Sequence, residues 1–326
     1  MQPHYGHSIC LLYQSVKIKR SEHAWAIVVD NTGILDDNIS TLLYIRFENH
    51  TAICRLYYVG AKMMLIVGER INTTRKSINA AVEARNAELI SSEAINQAEA
   101  GADLIDVNSG TRLKTEVADM EWLVSVVQEA VDNRLCIDSP NPAAIEAGLK
   151  LAKQKALVNS ITGEVERIET IMPMVKEYGS SVVALTMDEG GMPKTGEDRH
   201  QMACKIVDMI QEYDIPMDDI YFDPLIQPVG SGLDQGLAVL EGIRLIRSSF
   251  PDAHIIGGLS NISFGLPDRK LINRTFLAMA MSAGIDSAIM DPTDKPIMSV
   301  LMASCALLMQ DEFCLNYISK WREGKL

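Results

Sequence analysis

From Met63 onward the chain repeats one pattern eight times, a short apolar run closed by an acid or amide and then a longer segment of helical period. Such alternation reads as strand, crossover helix, strand, which builds a parallel sheet covered by helices. The predicted strands are Leu65–Gly68, Leu104–Val107, Leu135–Ile137, Ala156–Val158, Val182–Thr186, Ile220–Phe222, a run ending at Leu259, and Ser287–Met290. Their helices cover Ser77–Ala100 closed by Gly101, Val117–Val131, a segment after Pro142, Val165–Tyr178, Asp198–Tyr213, Leu237–Ser248, a segment from about Leu271, and Ile297–Met309. Eight units fit a closed (β/α)8 TIM barrel, usually about 250 residues long. An open doubly wound sheet is the alternative. Against it, Gly68 runs into Glu69 and Arg70 rather than into the glycine-rich turn that follows the first strand of dinucleotide-binding sheets.

Residues 1–62 do not share the repeat. They hold four of the six histidines and two strand-like runs, Ala26–Val29 and Thr41–Phe47, and are expected to be an N-terminal extension of unassigned role before a domain at 63–326. The extension is nearly neutral, with six Lys/Arg against five Asp/Glu, whereas the remainder carries 24 against 38. So acidic a surface argues against nucleic acid and anionic membranes as partners. No apolar run reaches the roughly 18 residues of a membrane span, and no secretory leader is recognisable. The six cysteines have no Cys-x-x-Cys pairing and sit mostly in apolar runs, as expected for reduced thiols of a cytoplasmic protein.

In a barrel the C-terminal ends of the strands converge on one mouth. Here those ends are Asn72, Asn108, Asp138, Asn159, Asp188, Asp223, Asn261 and Asp291. Singly, such residues cap the next helix or fold a loop as often as they bind anything. Together they line a mouth with carboxylates and amides and no histidine, which makes a poor zinc site, and no metal is expected. The set suits a flat heterocycle rich in N–H donors, since Asp accepts from an amino-pyrimidine edge and Asn matches mixed donor and acceptor edges.

Several stretches carry a more specific resemblance: MLIVGERIN (Met64–Asn72), MEWLVSVVQE (Met120–Glu129), LCIDSPNPAAIEAGLK (Leu135–Lys150), ALVNSI (Ala156–Ile161), YFDPLIQP (Tyr221–Pro228), and GLSNIS with LINRTFLAMAM between Gly258 and Met281. In order and spacing the region 64–320 resembles the pterin-binding methyltransferases that move a methyl group between tetrahydrofolate and a corrinoid cobalt. Within them it is similar to the methyltetrahydrofolate:corrinoid/iron–sulfur protein methyltransferases. The resemblance implies that Asp138, Asn159 and Asp223 hold the pterin ring and that Asn261 lies near the reacting nitrogen. It also implies a homodimer, tetrahydrofolate or 5-methyltetrahydrofolate as substrate, and a corrinoid (cobalamin) that arrives on a partner protein or free. Glu69, Asn108, Asp188 and Arg269 form a second tier of candidates. Met64 coincides with the family's usual start, so residues 1–62 are either an over-extended reading of the gene or an appendage of this lineage.

The implied chemistry accounts for the residue types. A tertiary amine is a poor leaving group, so help at N5 must be greatest in the transition state, and Asn261 can donate to N5 without being an acid. In reverse the same amide turns its oxygen toward N5–H, which leaves the direction open. Two alternatives remain. A dihydropteroate synthase-like enzyme shares the barrel, but its family carries Ser-Arg-Lys at the seventh strand where this chain reads Leu259-Ser260-Asn261. A non-catalytic folate-binding barrel would keep the pocket and lack methyl transfer.

Overall fold

The computed structural model describes residues 63–232 and 234–326 in full and, before them, the backbone of four strands. The chain divides into two compact units, one of Met1–Met63 with Cys305–Glu323, the other of Met64–Ser304 with Gly324–Leu326.

In the first unit β1 (Ser15–Ser21), β2 (Ala24–Asp30), β3 (Ser40–Glu48) and β4 (Thr51–Val59) form an antiparallel meander in sequence order. Both strand-like runs of the extension fall inside β2 and β3. The remaining expectations for residues 1–62, the thiols of Cys10 and Cys54 among them, lie outside what the structure describes.

The second unit is the barrel. Its strands are β5 (Leu65–Asn72), β6 (Leu104–Asn108), β7 (Arg134–Asp138), β8 (Leu157–Ile161), β9 (Ser181–Leu185), β10 (Ile220–Asp223), β11 (His254–Ile255) and β12 (Ser287–Met290). All are parallel, and the hydrogen-bonded order runs from β11 through β10, β9, β8, β7, β6 and β5 to β12. The ring closes between β11 and β12 through a bridge from Gly258 to Ile289 and the bonds Asp286 N–H to Ile255 O (3.3 Å) and Ile289 N–H to Gly257 O (3.0 Å). The helices between strands are α1 (Lys76–Glu83), α2 (Ala87–Glu99), α3 (Glu116–Ala130), α4 (Pro142–Leu151), α5 (Val165–Glu177), α6 (Gly196–Ile210), α7 (Gln235–Ser249) and α8 (Arg269–Ala283), followed by α9 (Lys295–Leu307) and, in the first unit, α10 (Leu315–Arg322).

Two expectations need correction. The single helix expected over Ser77–Ala100 is two, because Arg85 takes a left-handed conformation (φ 52°) and the Asn86 side chain accepts from Leu89 N–H to start α2 afresh. Arg85 is paid for by its partners, an ion pair to Asp119 at 2.8 Å and a stack on Trp122. The seventh strand is only two residues long, and Leu259–Ser263 is a 3-10 turn where strand was expected up to Leu259.

Inside the barrel, Leu65, Val67, Leu104, Cys136, Leu157, Val183, Tyr221 and Ile256 form one apolar cluster. Period-two alternation then fixes what lies above it. Two residues beyond Cys136, Leu157 and Tyr221 come Asp138, Asn159 and Asp223, so all three inherit the inward face at the mouth.

Candidate functional site at the barrel mouth

Register places Asn108, Asp138 and Asn159 side by side on β6, β7 and β8. Asn108 donates through Nδ2 to Asp138 Oδ2 at 2.7 Å, while its own oxygen accepts Gly110 N–H, so the amide orientation is set from both sides. Burial raises the Asp138 carboxyl to about 6, against the lowering effects of the Asn108 hydrogen bond and the nearby Arg167 charge. Asn159 is half-buried, and no described residue hydrogen-bonds its side-chain amide, whose donor and acceptor stay available. Asp223, across the mouth, gives one oxygen to Leu225 N–H at 2.7 Å. Burial lifts it to about 7, with that hydrogen bond and the Arg199 charge working the other way. Two of these positions offer acceptors and the third offers both functions, with most of that capacity unspent.

Asn261 sits in the 3-10 turn after β11. Its backbone supports the turn, N–H to Gly258 O at 3.2 Å and O from Phe264 N–H at 3.1 Å, while its exposed side chain is free of intramolecular bonds among the described residues. A Cβ at Gly258 would stand 3.2 Å from Asn261 Nδ2, so the glycine leaves room for the amide to fold back over the strand end. Arg269 fastens the same turn, donating to Ser260 O at 2.7 Å and Ser263 Oγ at 3.0 Å with its guanidinium over Phe264. Lys270, by contrast, is drawn to Asp294 at 3.4 Å.

Three strand-end residues are spent on their own surroundings. Asp188 pairs with Lys205 at 2.5 Å and accepts Gly190 N–H at 2.8 Å, contacts that hold its carboxyl below the usual range. Asn72 Oδ1 accepts from Thr74 N–H and Thr74 Oγ at 3.0 and 2.7 Å. Asp291 is held by Arg70 at 2.9 Å and by Thr293. Glu69 is half-buried, and burial together with the Asp291 charge lifts it to about 7 in spite of Arg75, Arg269 and Arg70.

Residues 68–291 match the pterin binding enzyme family. This chain belongs to the pterin-binding enzymes. Among curated relatives it is 38% identical over 265 residues to the methylcorrinoid:tetrahydrofolate methyltransferase of Eubacterium limosum, covering 81% of this chain and 98% of that one. It is also 31% identical over 239 residues to the methionine synthase of Mycobacterium tuberculosis, covering 69% of this chain but spanning only 20% of that much longer protein. The dihydropteroate synthases of Xanthomonas albilineans and Vibrio fischeri superpose with TM-scores of 0.61 and 0.57, each at 16% identity, over 78% of this chain and 95% and 96% of theirs. At that identity they share the fold alone.

In this pterin-binding enzyme three further residues lie beside these strand ends and were not among the sequence candidates. Asp106 is almost fully buried beside Asp138, with one oxygen lacking any partner, and burial followed by the Asp138 charge raises it well above the usual range. Its place between Leu104 and Asn108 on an alternating strand was the available signal. Arg167 donates to Ser139 O, Pro140 O and Ser160 O, tying the ends of β7 and β8 together. Arg199, wholly buried, donates to Pro224 O at 2.6 Å and Leu225 O at 3.2 Å and so fixes the loop that follows Asp223. Nothing in the local sequence marks either arginine. Among the described residues no cluster of three or more His, Cys, Asp or Glu has metal-ligand geometry, and no helix is long and apolar enough to cross a membrane.

Proposed function

We propose that the barrel transfers a methyl group between the cobalt of a corrinoid and N5 of tetrahydrofolate, running from methylcorrinoid to tetrahydrofolate. The observation that carries this reading is the shared inward face of Asp138, Asn159 and Asp223, whose unspent acceptors and amide match the donor-rich edge of a pterin. The likeness to the Eubacterium limosum enzyme along nearly its whole length supports both the chemistry and the direction. Asp138, Asn159 and Asp223 seat the ring so that N5 points out of the mouth, toward a corrinoid too large to enter. Its carrier is a separate protein or the free cobalamin. Asn261, whose side-chain amide is uncommitted at the adjoining strand end, hydrogen-bonds N5 more strongly as charge develops there.

Asn108 orients Asp138, and Arg269 positions the Asn261 turn. Asp188 serves its own loop. We assign catalysis to the barrel unit, which contains the whole of the family match; deletion of residues 1–62 is expected to leave activity intact. The deciding experiment is single-turnover transfer from methylcobalamin to tetrahydrofolate, followed by the appearance of cob(I)alamin. Wild type is expected to transfer, and Asn261→Ala to lose about 10² to 10³ in rate with a smaller change in folate affinity. A wild type inert in both directions overturns the assignment. Equal loss of rate and affinity in the variant would reduce Asn261 to a binding residue.

A further inference from the structure

The first barrel strand is irregular at Glu69. Val67 and Gly68 pair with Leu104 and Ile105, but pairing resumes only at Ile71, opposite Val107, so Glu69 and Arg70 together face Asp106. A bulge of this kind re-aims side chains and recurs beside active sites. Arg70 turns toward α2, its N–H on Gln97 at 2.9 Å and its guanidinium on Glu93 at 2.7 and 3.0 Å. Glu69, two residues past the interior Val67, is half-buried at the strand end. The charged groups that face it are Asp291 beyond β12, Arg75 at the start of α1, Arg269 of α8, Asp106 of β6 and the adjoining Arg70.

Glu69 differs from its acidic neighbour. Asp291 is saturated by Arg70 and Thr293, whereas no described residue hydrogen-bonds the Glu69 carboxyl. Its position around the ring also matters. The pterin seat occupies β7, β8 and β10, while Glu69 and the Asn261 turn lie on the other side with only β12 between them.

We propose that Glu69 is the proton acceptor of the methyl-transfer step, taking the proton that N5 of tetrahydrofolate must lose on methylation and returning it in the reverse reaction. This rests on the methyltransferase reading given above. The N5 lone pair forms the new N–C bond, and the Co–C bond breaks with both electrons left on cobalt, which passes from Co(III) to Co(I). N5 then carries methyl, hydrogen and positive charge. It releases the hydrogen as a proton to a Glu69 oxygen, and the resulting neutral carboxyl group passes it to water at the mouth. Asn261 and Glu69 thereby divide the work, the amide stabilising charge and the carboxyl moving the proton. Arg269 links them, since it holds the Asn261 turn and faces Glu69. Burial first, and the Asp291 charge second, leave the carboxyl near 7, where it can both take and give a proton.

The test is kcat/KM against pH for the full chain, in both directions, with methylcobalamin and tetrahydrofolate or cob(I)alamin and methyltetrahydrofolate. Wild type should gain rate through about pH 7 in the first direction and lose it through the same region in the second, as base and acid forms are required in turn. Glu69→Gln should lower both rates by about 10² to 10⁴ and remove the opposition between the two directions, with folate affinity near wild type and no loss of melting temperature. Glu69→Asp should keep the inflection at reduced rate. Transfer by wild type with a flat profile around neutrality overturns the role of Glu69 without any variant, as does a folded Glu69→Gln enzyme with wild-type rates. Absence of transfer by wild type in both directions removes the methyltransferase reading itself, and this proposal with it.

Discussion

At the mouth of the barrel the Asp223 carboxyl has one hydrogen bond from the described residues, and burial raises it to about 7. At the floor Asp286 accepts from Ile255 N–H at 2.8 Å and pairs with His254 Nδ1 and Arg247 Nη2, each at 2.9 Å. Burial raises Asp286 too, but its hydrogen bond with His254 and the Arg247 charge outweigh it and leave the carboxyl below the usual range. Two further floor acids are also hydrogen-bonded within the protein: Asp103 accepts Ile66 N–H at 2.8 Å, and Asp219 takes Ser181 Oγ at 2.9 Å and the Lys155 ammonium. One residue type is thus used in opposite ways. Floor acids are satisfied within the protein and stabilise it, whereas Glu69, Asp138 and Asp223 bear desolvation that the protein leaves uncompensated. Acids kept at such a cost are what the pterin seat proposed above requires, since a ligand would supply the missing donors.

The largest effect should come from Asp223→Asn. Asn keeps the acceptor for Leu225 N–H but cannot ionise. The folded-state carboxyl lies above its unfolded value, so the native state binds more protons between the two and wild-type stability falls as pH rises from about 4 to 7. The gap from 3.8 to about 7 corresponds to ~4 kcal/mol at most, gained by the variant at pH 8 and absent at pH 3.5. Folate binding should weaken by about 1 to 3 kcal/mol, since an amide replaces an acceptor. Urea unfolding at the two pH values with calorimetry of tetrahydrofolate binding checks both; a variant less stable than wild type at pH 8 would break the contrast.

Asp286→Ala should act in the opposite sense and by somewhat less. It strands His254 Nδ1 and Ile255 N–H and removes a charge from Arg247, which predicts a loss of about 2 to 3 kcal/mol at neutral pH. Because the Asp286 carboxyl is depressed, its contribution is present above the unfolded value and fades as pH falls through the folded one. Folate affinity should not move. If it did, the two ends of the barrel would not be separable, and the mouth acids could not be assigned to ligand binding on energetic grounds.

The contrast also explains what could be read from the chain alone. Apolar runs closed by an acid or amide are a local signal, and it marks Asp138, Asn159 and Asp223 as polar ends of strands, which β7, β8 and β10 carry. The seventh strand misled because Ile255, Ile256 and Leu259 are apolar and buried, as in a strand, whereas the chain pairs only as far as Gly258 and turns at Leu259. Asp188 and Asp223 look equivalent in sequence. What separates them is Lys205, seventeen residues away on α6, which pairs directly with Asp188, whereas Arg199 near Asp223 spends its donors on the Pro224 and Leu225 carbonyls. Arg167 and Arg199 bind backbone carbonyls of distant loops, contacts made only by the tertiary fold.

The smallest effect is the most specific to the floor. His254 is stacked on Tyr221 with ring centroids 4.5 Å apart, and its two nitrogens face carboxylates, Nδ1 at 2.9 Å from Asp286 and Nε2 at 3.2 Å from Asp218. A neutral imidazole has one N–H and can satisfy only one of them; the imidazolium satisfies both. Burial works against that charge, but hydrogen bonding to Asp286 and the two acidic charges outweigh it and raise the imidazole above its ordinary value. A raised value in the folded state means stabilisation that is complete below the unfolded value of 6.5 and is lost as pH rises through the folded one. His254→Gln should therefore cost about 1 kcal/mol near pH 6, with Asp218 too exposed to add much, and distinctly less near pH 9. Chemical unfolding at those two pH values measures the difference. A cost that does not change with pH would mean that the ring contributes by its stack on Tyr221 and a single neutral hydrogen bond, and the floor would then be held by Arg247 and Asp286 without a charged histidine.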